Sequence, residues 1–123
     1  MQITNPRLTV SQFGDKFDLF VDYTATFVLE EANFEFEDAT VWVERDAGDD
    51  FDAFDPDVRT PGMRFRPNGQ TSVNRHHEKR GVSADNLDTG IGDEDVVGLV
   101  HLKNVTLQGQ NIRVRTNIVT IDA

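Results

Sequence analysis

The sequence predicts an all-β fold, an antiparallel two-sheet sandwich of about seven to eight strands, immunoglobulin-like or related to it. Three observations carry that expectation. Residues 17–29, FDLFVDYTATFVL, place Phe17, Leu19, Val21, Tyr23, Ala25, Phe27 and Leu29 on alternate positions, the period of a strand with one buried face. Valine, isoleucine, threonine and phenylalanine recur in short runs between turn residues. No stretch repeats its apolar residues at the 3.6-residue period of a helix. At 123 residues the chain has the length of one domain, spanning 1–123.

The elements follow in order. Residues 2–13 form a first strand, and Pro6, with no N–H to give to a ladder, assigns it to a sheet edge. The GDK turn leads to the long strand 17–30. Thirteen extended residues span about 40 Å, so this strand bends near Thr24–Thr26, projects beyond the body, or is central and covered by its own fold. Its even face carries Phe20 and Val28 among acids and threonines, which makes them candidate contacts for a partner. In the third strand, 33–46, Phe34 and Phe36 lie on even positions but Ala39, Val41 and Val43 on odd ones. That change of parity predicts a bulge or sheet switch near Glu37–Asp38.

Residues 46–62 read as a loop, and Asn68-Gly69 predicts a type I′ hairpin over 62–75. A short strand over 79–84 and a second acidic loop follow. Residues 96–107 are almost continuously apolar, which marks a central strand, and 112–121 alternate once more. Trp42 is only a loose echo of the immunoglobulin core, since the chain has no cysteine.

The missing cysteines exclude a disulfide scaffold, a thiolate nucleophile and thiolate metal sites. Twenty-two acidic against twelve basic residues leave a formal charge of −10, which argues against a nucleic-acid partner. No apolar run reaches membrane-span length and no leader peptide opens the chain, so no membrane partner is expected. The implied localisation is cytoplasmic synthesis, open to incorporation into an assembled particle.

Eleven of the acids lie in 46–57 and 85–95. Asp46, Asp49, Asp50, Asp52, Asp55 and Asp57 in the first segment, with Asp85, Asp88, Asp93 and Asp95 in the second, are candidate ligands for Ca2+, a hard cation that takes carboxylate oxygens from flexible loops. The spacing is not that of an EF-hand. In a sandwich the two loops emerge at one pole, where the alternative is a solvated acidic cap. Phe51 and Phe54, inside the first segment, pack back on the fold or insert into a partner.

Half of the basic residues lie between the acidic segments, and the expected hairpin puts Arg64, Arg66 and Arg75 on one face. A cationic ribbon and an anionic pole favour head-to-tail contact between copies, against intramolecular pairing of the ribbon with the acidic loops as the alternative. His76 and His77, adjacent in sequence, point to opposite faces of any strand and read as solvated loop residues. His101 reads as a core or boundary residue. No nucleophile elbow, phosphate loop, dinucleotide fingerprint or zincin spacing is present, so the expectation is not an enzyme. The leading functional reading is a structural or assembly protein that packs with copies of itself or a larger scaffold, such as a virion, tail-like or filament component. The alternative is a calcium-dependent binding module built on the acidic loops.

Overall fold

A computed structural model describes residues 1–46, 48, 50–90 and 92–123. Eight strands form two antiparallel sheets, the sandwich that the alternation predicts. They are β1 (Gln2–Phe13), β2 (Lys16–Thr26), β3 (Phe36–Arg45), β4 (Phe51–Arg59), β5 (Met63–Phe65), β6 (Ser72–Ser83), β7 (Glu94–Asn104) and β8 (Asn111–Ile121). One sheet has the order β1-β2-β6, the other β4-β3-β7-β8. The short β5 pairs with Phe36–Asp38 of β3 and so continues the edge that β4 forms along Val41–Arg45. A 3-10 turn at Leu29–Glu31 and one helical turn, α1 (Ala84–Leu87), complete the elements.

The long strand is central in its sheet, paired with β1 and β6 along its length. Its odd residues from Phe17 to Phe27 are buried, and they pack against Phe36, Trp42, Val96, Val100 and Leu102 of the facing sheet. Burying each of these large side chains contributes about 1.5–3 kcal/mol, which is why one face is so consistently apolar. The strand ends at Thr26, earlier than its sequence suggests, and Val28 and Leu29 lie exposed beyond it. β1 is an edge strand, with a bulge where Asn5 and Pro6 interrupt the register. That edge is tied across the sandwich by the Asn117 amide, which accepts from Leu8 N at 2.8 Å and donates to Leu8 O at 3.3 Å. A side chain thereby satisfies backbone groups that a bare edge would leave open.

Three local expectations are corrected. No parity change occurs at Glu37–Asp38: Phe36, Asp38, Thr40 and Trp42 all face the core, and the register shift falls between Trp42 and Val43, opposite β4. Polar residues occupy core positions there because each is hydrogen-bonded, as described below. The segment 46–62 is not a loop throughout, since β4 forms within it. Phe54 and Val58, each 1% exposed, are drawn into the core, while an edge position leaves Asp52, Asp55 and Asp57 in water.

The third correction concerns 62–75. Asn68 and Gly69 do adopt the two positive φ values of a type I′ turn (55° and 84°), and Gln70 N donates to Pro67 O at 3.1 Å. The flanking strands nevertheless diverge, β5 to β3 in one sheet and β6 to β2 in the other. Pro67, adjoining the turn, has no N–H for a hairpin ladder, and Gly69 N is taken by Ala32 O at 2.9 Å. The turn is a crossover between sheets. The strand then runs unbroken through His76 and His77 to Ser83, so neither histidine is in a loop.

At Gly98 the two sheets approach closely. A Cβ there would lie 2.8 Å from Val21 Cγ2 and 3.2 Å from Thr116 Cγ2, both in packed surroundings. Gly98→Ala is therefore expected to destabilise the fold by about 1–3 kcal/mol through overpacking. A urea titration of the variant checks this, and an unchanged midpoint would show that the sheets can separate at no cost.

Candidate functional site

Two places concentrate chemistry, one sealed inside the sandwich and one open on its outer face. Inside, β2, β3 and β6 converge on Asp38. Tyr23 Oη donates to Asp38 Oδ2 at 2.5 Å, Arg75 Nε donates to the same oxygen at 2.8 Å, and a second Arg75 nitrogen donates to Oδ1 at 3.0 Å. Tyr23 and Arg75 are cross-strand partners, as are Val21 and His77, so register alone delivers these groups to one point. His77 Nε2 lies 3.0 Å from Asp38 Oδ1 but is not aimed for a straight hydrogen bond. Its Nδ1 is 2.6 Å from Thr40 Oγ1. Thr60 closes the cluster, its hydroxyl accepting from Thr40 N at 3.1 Å.

Burial alone would raise the pKa of Asp38. The adjacent His77 imidazole and the hydrogen bonds from Arg75 and Tyr23 outweigh it and hold the carboxyl at about 2. Burial, reinforced by the neighbouring Asp38 charge, pushes the Tyr23 phenol well above its ordinary value. Asp38 is thus a carboxylate and Tyr23 a neutral donor across the ordinary pH range. Thr40, His77 and Asp38 have the order of a hydroxyl–imidazole–carboxylate relay. The side chains of His77 and Asp38 are 0% exposed, however, and Thr40 is buried with them, so this hydroxyl has no open face toward a substrate. The sequence reading missed the cluster. Its signal was the placement of Asp38 and Thr40 on the same strand parity as Phe36 and Trp42.

The open site is a groove of about 960 Å³ on the outer face of the larger sheet. Ala39, Val41 and Leu99 supply apolar lining from the odd face of β3 and β7. Arg59 from the end of β4, with Arg113 and Arg115 from β8, supplies the charge, and Phe51 adjoins with the Arg115 guanidinium 6.0 Å from its ring centre. The one carboxylate in the lining among the described residues, Glu37, is held by Lys103 at 2.9 Å and Arg64 at 3.4 Å. Arg59 and Arg113 have no carboxylate partner among the described residues. His101 is in the wall. Burial lowers its pKa and the Arg113 charge lowers it further.

The expected acidic pole forms. Both acidic segments meet at a cleft of about 230 Å³ lined by Glu44, Arg45, Asp46, Thr89, Gly90, Asp93, Glu94 and Asp95. Asp95 accepts from Thr120 Oγ1 at 2.7 Å and lies 3.7 Å from Arg45. Buried Glu94 accepts from Ala123 N at 3.2 Å. Asp46, Asp50, Asp85, Asp88 and Asp93 are exposed, while Asp52, Asp55 and Asp57 line the β4 edge. Asp49 lies outside the described residues. Among the described residues no three carboxylate or imidazole groups converge as a metal centre.

The residues expected to form a protein interface separate. Phe54 is in the core and has no surface to offer, whereas Phe51 is half-buried at the groove. Phe20 lies on the outer face of β2 between His76, stacked at 5.9 Å, and the Arg80 guanidinium at 5.1 Å. Val28 is exposed at the opposite pole from the acids. Arg64, Arg66 and Arg75 do not form a ribbon. Arg64 and Arg66 pair with Glu35, and Arg75 is directed inward to Asp38 with its guanidinium 4.1 Å over the Phe65 ring. All three are thus paired within the molecule, but with Glu35, Glu37 and Asp38 and not with the acidic loops that the sequence alternative named. The larger cationic surface lies instead on β4 and β8. No helix among the described residues is long and apolar enough to cross a membrane. No protein-family model matches the chain, and no curated protein or solved structure is significantly similar to it.

Proposed function

We propose that this protein is a non-enzymatic assembly module, a β-sandwich that packs with copies of itself or into a larger scaffold. The observation that carries the reading is the groove: an accessible, half-apolar surface rimmed by three arginines on a chain whose net charge is −10. Charge of the minority sign gathered around an apolar floor is suited to docking an anionic surface, with the charges guiding encounter and the floor supplying burial. The enclosure of the Asp38–His77 cluster adds support, because the groups best suited to acid–base chemistry hold the two sheets together instead of facing solvent.

Light scattering coupled to size exclusion tests the reading, over a range of protein concentration and salt, with calcium and with chelator. Association that weakens with added salt and ignores calcium is the expected result. A monomer under every condition removes self-assembly. A change of elution with calcium alone transfers the function to the acidic pole as a calcium-dependent module.

A further inference from the structure

We propose that the groove on the outer face of the larger sheet receives the acidic pole of a second copy of this chain, joining copies head to tail. The inference rests on the assembly reading and assigns its two surfaces. The groove offers Arg59 and Arg113, which have no carboxylate partner among the described residues, and the one carboxylate among the described lining residues, Glu37, is already paired. The chain itself carries the complementary surface: Asp46 and Asp93 are exposed in the lining of the cleft where the two acidic segments meet, and Asp50, Asp85 and Asp88 are exposed elsewhere in those segments. The lowered pKa of His101 supports the same polarity, being due in part to the Arg113 charge.

Groove and pole are different patches, one on a sheet face and one at the end of the sandwich. A contact between them is heterologous: each copy that docks its pole leaves its own groove free. Growth then continues into an open chain unless the rotation between copies closes a ring. An isologous dimer centred on the groove would instead bring arginines against arginines.

This asymmetry provides the test. The groove variant carries Arg59→Glu and Arg113→Glu, and the pole variant carries Asp50→Lys, Asp85→Lys and Asp93→Lys. A control with Lys16→Glu and Lys79→Glu makes the groove variant's change in net charge on the other sheet. All these side chains are exposed, so each variant is expected to melt close to wild type. Arg59→Gln with Arg113→Gln serves if the reversal perturbs folding.

Light scattering is expected to show association weakened at least tenfold in the groove variant and in the pole variant, but not in the control. An equimolar mixture of the groove and pole variants should form a 1:1 dimer that grows no further, since only one intact groove and one intact pole meet. A groove variant no weaker than the control overturns the assignment while leaving the assembly reading standing. Failure of the mixture to pair overturns the pole as occupant. A wild-type protein that stays monomeric throughout overturns both. If that monomer binds a glutamate-rich peptide at the groove, seen as shifts of Leu99 and Val41 resonances, the occupant is a different acidic protein and the second-copy proposal falls.

Discussion

Replacing Asp38 by asparagine is expected to cost about 3–5 kcal/mol of folding stability, the loss typical of removing one partner from a buried charge pair. The chain should have only about 5–15 kcal/mol in total, so about a fifth or more of it rests on this carboxylate. The reason is what remains behind. Arg75 would keep its charge with one fewer carboxylate oxygen to neutralise it, Tyr23 would lose an anionic acceptor, and His77 would face an amide. Tyr23→Phe removes a donor and leaves Asp38 its arginine, so it should cost only about 1–2 kcal/mol. The two costs should not add, because both substitutions act on one network. Guanidinium titrations of both single variants and the double variant check this. A loss below about 1 kcal/mol for Asp38→Asn would mean that the cluster fills space without stabilising the sandwich.

The same carboxylate sets the acid limb of the stability curve. Its folded pKa, about 2, lies below the ordinary 3.8, so folding favours the ionised form. That contribution is fully present above pH 3.8 and is lost as the pH falls through about 2. It amounts to roughly 2 kcal/mol at neutral pH, at 1.36 kcal/mol per unit. The gap in stability between wild type and Asp38→Asn should therefore narrow over that interval.

How legible this was in the sequence differs by kind of residue. The alternation of 17–29 located β2 and its buried face because a period-two pattern reports burial directly, and the apolar run of 96–107 placed β7 inside its sheet. Pattern reading failed where a polar side chain is buried with its partner. Asp38 and Thr40 counted as surface residues, so the apolar positions Ala39 and Val41 were taken for the core face of β3. They are the floor of the groove. The turn at Asn68-Gly69 was legible because positive φ is a local demand, but which strands it joins depends on partners far away in sequence. The groove's cations were hidden for the same reason, since Arg59 and Arg113 are 54 positions apart and line one groove only through sheet order.

Phe54 and Phe51 put the distinction between core and interface to a direct test. Three residues apart in an extended strand, they point to opposite faces: Phe54 is 1% exposed in the core beside Val58, while Phe51 lies over the outer face near Arg115. Phe54→Ala should cost about 3–5 kcal/mol, the usual loss for truncating a buried aromatic side chain, because the packed interior cannot close the space left. Phe51→Ala should change stability by less than about 1 kcal/mol, since that ring is only half-covered. In the assembly assay the order should reverse. Phe51→Ala removes an aromatic side chain from the groove wall and weakens association, while Phe54→Ala, examined under conditions where it remains folded, leaves association as it was. Chemical denaturation and light scattering on the same two samples separate the effects. A Phe54→Ala protein that melts like wild type but no longer associates would put that ring in an interface, and β4 could not then be the edge strand that closes the core.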